Sequence, residues 1–218
     1  MPTLITPRGL AAFTLAVLLA GCSTPDPVMY RDIGSARYLR PDNGEKHIPY
    51  RYRNRVDWRQ YSQAIVAPTE IYQGTDNQFG DMNMADRAKL ASYMYSEFST
   101  QLSRRFQLTT TPTPGTLRVK MTLTGASTTT PVLGTLSHFD IAGGLYNGIQ
   151  SFRGGEGSMM GAVIYVVEIY DANTSQLLSS YIAKQYPNSM NIGSTFGSLA
   201  TAKTGIDKGA QELMTQFD

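Results

Sequence analysis

Leu117-Arg118-Val119-Lys120-Met121-Thr122-Leu123-Thr124 alternates apolar and polar residues without a break. Side chains of a strand point alternately to its two faces, so this octet reads as a strand with one buried face. Upstream, Pro112, Pro114 and Gly115 end a loop. Before that loop, Leu90, Met94, Phe98 and Leu102 recur every four residues. This spacing predicts an amphipathic helix from about Met84 to Arg105. Asn83 is placed to cap it, and Asp86 to complement its positive end. Ala64 to Tyr72 is rich in β-formers, with Pro68 restricting it to an edge or a bulge. Downstream, residues 162–170 form a second, more buried strand. Asp171 to Gln176 makes a hairpin connection, and residues 177–186 return as a third strand. Leu199, Ala202, Ile206, Ala210, Leu213 and Phe217 mark one face of a C-terminal helix. The expected class is α+β: a mostly antiparallel sheet in β-α-β-β-β-α order, with two long helices packed on one face. Leu123, Val166 and Leu213 are expected between sheet and helices.

The sole cysteine, Cys22, follows Leu18-Leu19-Ala20-Gly21. This resembles the lipobox of bacterial lipoproteins. Arg8 supplies a positive n-region. Leu10 to Leu19 is an apolar run too short to span a hydrocarbon core of ~30 Å. Residues 1–21 therefore read as a lipoprotein signal peptide, and Cys22 as the lipidated residue. One acyl chain anchors marginally, so two or three are expected on this residue. Ser23 follows the cysteine where Asp would favour inner-membrane retention. The expected location is the outer membrane, with the domain facing the periplasm. Residues 22–50 hold Pro25, Pro27, Gly34, Pro41, Gly44 and Pro49. They read as anchor and flexible tether, leaving residues 51–218 as a single domain.

The chain carries 19 Lys+Arg against 17 Asp+Glu. Loss of Arg8 with the signal makes the mature chain nearly neutral, which gives no electrostatic case for nucleic acid. With its one cysteine lipidated, the mature chain can form no disulfide. Its stability must come from an ordinary core. The one basic stretch, residues 51–59, interleaves arginines with aromatics. Trp58 and Tyr61 are expected to pack on the domain edge, with the arginines facing solvent or headgroups.

Several short motifs, in order, resemble the proteobacterial lipoproteins grouped as domain of unknown function 3313. They include Val56-Asp57-Trp58 with Tyr61, Pro68-Thr69-Glu70, and Gly74-x-Asp76-x-x-Phe79-Gly80-Asp81. Pro114-Gly115 before Leu117-Arg118-Val119, Leu123-Thr124-Gly125-Ala126, Pro131-Val132-Leu133 and Glu168-x-x-Asp171-x-x-Thr174 continue the match. The resemblance spans about residues 50–217. Gly134 and Ser175 depart from it, where Asn and Gly are expected; both touch turns. The resemblance implies a lipoprotein of unknown activity and brings no catalytic residues.

Nothing in the sequence assembles a catalytic set. His47 and His138 are the only histidines, too few for a recurrent zinc site or a Ser-His-Asp triad. No metal and no cofactor are expected. Gly197 to Thr204 mimics a phosphate loop but lies at the start of the last helix. Glu70, Asp76 and Asp81 surround one loop and are the candidate acidic site. Residues 131–155 are apolar and nearly uncharged. Leu136, Phe139, Leu145, Ile149 and Phe152 are candidate interaction residues, either exposed for membrane or partner or covering the sheet. The reading is a non-enzymatic accessory or adaptor lipoprotein. Its partners would be the membrane, through the lipid on Cys22, and an envelope protein. Two alternatives remain: a hydrolase or ligand-binding protein using the acidic loop, and a subunit of an oligomeric secretion or pore assembly.

Overall fold

The structure, a computed structural model, describes residues 26–127, 161–186 and 199–218. The central strands are β6 (Thr116–Ala126), β7 (Val163–Asp171) and β8 (Leu177–Gln185). They pair antiparallel, β6 with β7 and β7 with β8. Beyond β8 lie β2 (Tyr50–Arg53) and then β1 (Arg40–Pro41), both antiparallel. On the other side β3 (Gln63–Val66) runs parallel to β6, as does β4 (Glu70–Ile71). β5 (Gln107–Leu108) runs parallel to β3 at the edge. The helices are α1 (Met84–Leu102) and α2 (Ala200–Met214).

The expected fold class is thereby corrected. Among the described residues the sheet is mixed and has eight strands, and four of them precede α1. The sheet is mostly antiparallel, as expected, but the described order is not β-α-β-β-β-α, and the picture of two long helices packed on one face does not describe it. Two physical causes account for the difference. Pro68 lacks an N–H and splits the predicted Ala64–Tyr72 strand into β3 and β4. α1 returns the chain to the end where β3 began, so β6 must run parallel to it.

The larger core cluster holds Leu117, Val119, Met121 and Leu123 of β6 with Val163, Tyr165, Val167 and Ile169 of β7. Leu90, Met94, Phe98 and Leu102 of α1 and Ile206 and Leu213 of α2 belong to it. Asn83 caps α1, its side chain accepting from the Asp86 N–H at 2.9 Å. Leu123 and Leu213 take their expected places. Val166 does not: it lies in a second cluster with Tyr30, Leu39, Tyr72, Ile164 and Ile182. Strand alternation puts Val166 opposite Tyr165 and Val167, on the reverse face of the sheet.

That reverse face is covered by the segment read as a flexible tether, which is the second correction. Tyr30 and Leu39 are fully buried in this second cluster, whereas Ile48, also buried, joins the larger one. The Ser35 N–H donates to Glu168 Oε1 at 2.6 Å, and Ser180 Oγ donates to Ser35 Oγ at 2.8 Å. The apolar residues are too widely spaced among prolines and charges to show a period.

Candidate functional site

The acidic loop does not converge. Glu70, on β4, stands 3.6 Å from Lys120 Nζ on β6. Asp76 accepts from the Tyr72 hydroxyl at 2.8 Å. Asp81 lines a shallow groove with Phe79, Gly80, Met82 and Ser127. Asp86 serves the cap of α1 and pairs with Lys89 at 2.8 Å. Each of Glu70, Asp76 and Asp86 thus has a structural partner of its own.

The basic stretch divides. Trp58 packs edge-on against Phe217, with ring centroids 5.2 Å apart, and Tyr61 is buried. Arg53, Arg55 and Arg59 are exposed, whereas Arg51 is buried. Cys22, the signal segment 1–21, His138, and Leu136, Phe139, Leu145, Ile149 and Phe152 lie outside the described residues. Among the described residues no helix is long and apolar enough to cross a membrane.

Among the described residues lies a further polar cluster, not anticipated from sequence. It forms where the loop between β1 and β2 meets α2 and the end of β8. The Asp42 N–H donates to Pro49 O at 2.8 Å, and the Ile48 N–H to Glu45 O at 2.9 Å, which shape that loop. The Lys184 N–H donates to His47 O at 2.8 Å and ties the loop to β8. His47 Nε2 then lies 2.6 Å from Glu212 Oε1 and 3.4 Å from Glu45 Oε2. Arg51, on β2, is 3.1 Å from Asp42 Oδ2 and 3.3 Å from Glu45 Oε1. Gln185, fully buried, donates from Nε2 to Glu212 Oε2. Burial alone would raise the Glu212 carboxyl, but the hydrogen bond and charge of His47, with Gln185, hold it below the ordinary range. Below it, burial and the Glu212 charge push the Tyr181 hydroxyl well up.

Sequence reasoning placed His47 in the tether and so missed this cluster. The local signal, Glu45-x-His47, is two residues long, and Glu212 lies 165 residues from His47. Only the docking of the β1–β2 loop onto α2 makes them neighbours.

Among curated proteins no relative matches the sequence. A PelC dodecamer from Paraburkholderia phytofirmans aligns at 10% identity over 71% of this chain and 88% of that chain, with a TM-score of 0.37. A DUF4136 family protein from Bacteroides thetaiotaomicron aligns at 9% identity over 79% of this chain and 98% of its own, with a TM-score of 0.36. The family described as "Protein of unknown function (DUF3313)" matches residues 30–213, which includes every described strand and nearly all of α2. The resemblance read from the short motifs is therefore borne out, and the chain belongs to the DUF3313 family.

Proposed function

We propose that this protein is a non-catalytic accessory lipoprotein, anchored through Cys22 to the outer membrane, with its domain held close to the lipid surface in the periplasm. The observation that carries the reading is the pairing of Leu18-Leu19-Ala20-Gly21-Cys22 with a fold that begins almost at once. Pro27 is buried and Tyr30 is fully buried. Only four steps separate Cys22 from Asp26, and an extended chain covers at most about 3.6 Å per residue. The docked chain therefore starts within ~15 Å of the acyl chains.

The end of the domain beside Asp26 is defined by its contacts. Asp26 O accepts from Gln78 Nε2 at 2.8 Å, and Asp26 Oδ1 lies 3.5 Å from Lys184 Nζ. Gln78 bridges to Gly125 at the end of β6. Ala126, Val163 and Gln185 share that end through the antiparallel register. It is the face this reading turns to the membrane, with exposed Val28 and Met29 next to the anchor. The separate partners of Glu70 and Asp76 count against a hydrolytic role for the acidic loop.

The anchor is tested by Cys22→Ser. The variant is expected to lose lipoprotein processing or to leave the outer-membrane fraction. Unchanged fractionation together with an unmodified wild-type N-terminal mass overturns the anchor. The accessory role is tested by crosslinking in intact envelopes. A defined envelope protein captured by the wild type and lost with Cys22→Ser supports it.

A further inference from the structure

We propose that Glu45, His47 and Glu212 form a site for a divalent transition-metal ion, with Zn²⁺ the best match to the donor set. One ligand atom from each residue lies within 4.8 Å of the other two. Donors around a four-coordinate zinc stand about 3.3 Å apart, given bonds near 2.0–2.1 Å. The 3.4 Å from His47 Nε2 to Glu45 Oε2 already meets this. The 2.6 Å from His47 Nε2 to Glu212 Oε1 is a hydrogen bond, which must open by about 0.7 Å when a metal replaces its proton.

The surrounding groups support the assignment. Each carboxylate has one oxygen held by a buried protein donor and the other turned to His47. Arg51 holds Glu45 Oε1, and Gln185 holds Glu212 Oε2. Outer partners of this kind orient metal-binding carboxylates. Gln185 is fully buried, so its amide holds Glu212 Oε2 in a fixed place.

Charge points the same way. Asp42, Glu45 and Glu212 carry three negative charges against the single charge of Arg51. The nearest other cations are engaged or turned away. Lys208 lies over the Tyr186 ring, Lys184 pairs with Asp26, and Lys46 is exposed. A divalent ion held by the imidazole and the two carboxylates balances the cluster. An imidazole beside two carboxylates suits zinc and its neighbours better than Mg²⁺ or Ca²⁺, which prefer all-oxygen sets. Three protein ligands leave a fourth position for water. The ion would clamp the β1–β2 loop to α2.

The test uses the lipidated protein in detergent, stripped with EDTA and titrated calorimetrically with ZnCl₂. One ion per chain is expected, with X-ray absorption showing nitrogen and oxygen ligands. His47→Ala, Glu45→Gln and Glu212→Gln should each weaken binding at least ~10-fold, and Gln185→Leu ~10–100-fold as an outer partner. His138→Ala should leave binding unchanged. The proposal is overturned by any of three results: no saturable one-to-one binding, binding insensitive to His47→Ala, or binding lost with His138→Ala. Equal affinity for Ca²⁺ overturns the transition-metal assignment. If His47→Ala does not fold, exposed Glu45 carries the ligand test through Glu45→Gln, with the fold checked by circular dichroism. None of these outcomes depends on where the protein is anchored.

Discussion

Ser175 sits at φ 60 in the β7–β8 hairpin, the one non-glycine residue with positive φ among the described residues. A left-handed conformation costs an L-residue about 1–2 kcal/mol, part of which glycine gives back through its freer unfolded chain. Ser175→Gly should therefore raise stability by up to ~1 kcal/mol, seen as a higher urea midpoint. A lower midpoint would mean that the serine side chain contributes more than the strain costs. The same hairpin depends on Asp171. Its carboxylate accepts from the Thr174 N–H at 2.8 Å, the Asn173 N–H at 3.0 Å and the Tyr61 hydroxyl at 2.9 Å. Burial would raise this carboxyl, but these donors together hold it below the ordinary carboxylate range. A depressed folded pKa favours the folded state above the unfolded value of ~3.9, and that contribution disappears as pH falls through the lower folded pKa. Asp171→Asn should flatten the acid side of the stability profile between about pH 5 and pH 2. Urea midpoints across that range measure it, and an unchanged slope would remove Asp171 from the acid response. The hairpin was readable in sequence because Asp, Asn, Thr and Ser bond their own backbone. The partnership with Tyr61 was not, since 110 residues separate the pair.

At the scale of elements, α2 packs by small residues. A Cβ at Gly205 would lie 2.9 Å from Gln185 O and 2.9 Å from Val163 Cγ1. The first neighbour is strand backbone and cannot swing away. Helix propensity alone favours Ala over Gly by ~1 kcal/mol, yet overpacking costs ~1–3 kcal/mol. Gly205→Ala should thus be net destabilising, and a stabilised variant would show that α2 stands further from the sheet. α1 was legible because a cap and a four-residue period both mark it, and α2 through its apolar face alone. β1, β4 and β5 were not, because two residues cannot display an alternation. Such strands exist only through their neighbours: β5 is exposed at both positions and is held by its pairing to β3. The mixed sheet was equally hidden. Strand direction follows from where α1 delivers the chain, which no local pattern records.

At the scale of the whole molecule, the described sheet carries two apolar clusters, one shared with residues of α1 and α2 and the other with Tyr30, Ile33 and Leu39. The long strands made the first layer readable. The second layer is built from single residues, chiefly Tyr30, Leu39 and Ile33, set among prolines and charges that suggest a linker. Tyr30 decides between the two descriptions. It is fully buried, its ring meets Tyr72 edge-on at 5.1 Å, and its hydroxyl donates to Gln78 Oε1 at 2.6 Å. Truncating a buried aromatic to Ala costs ~3–5 kcal/mol, whereas a substitution in an undocked tether stays within about 0.5 kcal/mol. Tyr30→Ala should fall in the first range and Tyr30→Phe should lose only ~1 kcal/mol, the value of one hydrogen bond. Urea melts of both variants measure the difference. Near-wild-type stability for Tyr30→Ala would mean that the segment does not cover the sheet. It would also remove the basis for holding the domain close to the anchor, because the chain from Cys22 would then be free to extend. A large loss for Tyr30→Ala with a small one for Tyr30→Phe would instead make the anchor and the core parts of one continuous segment.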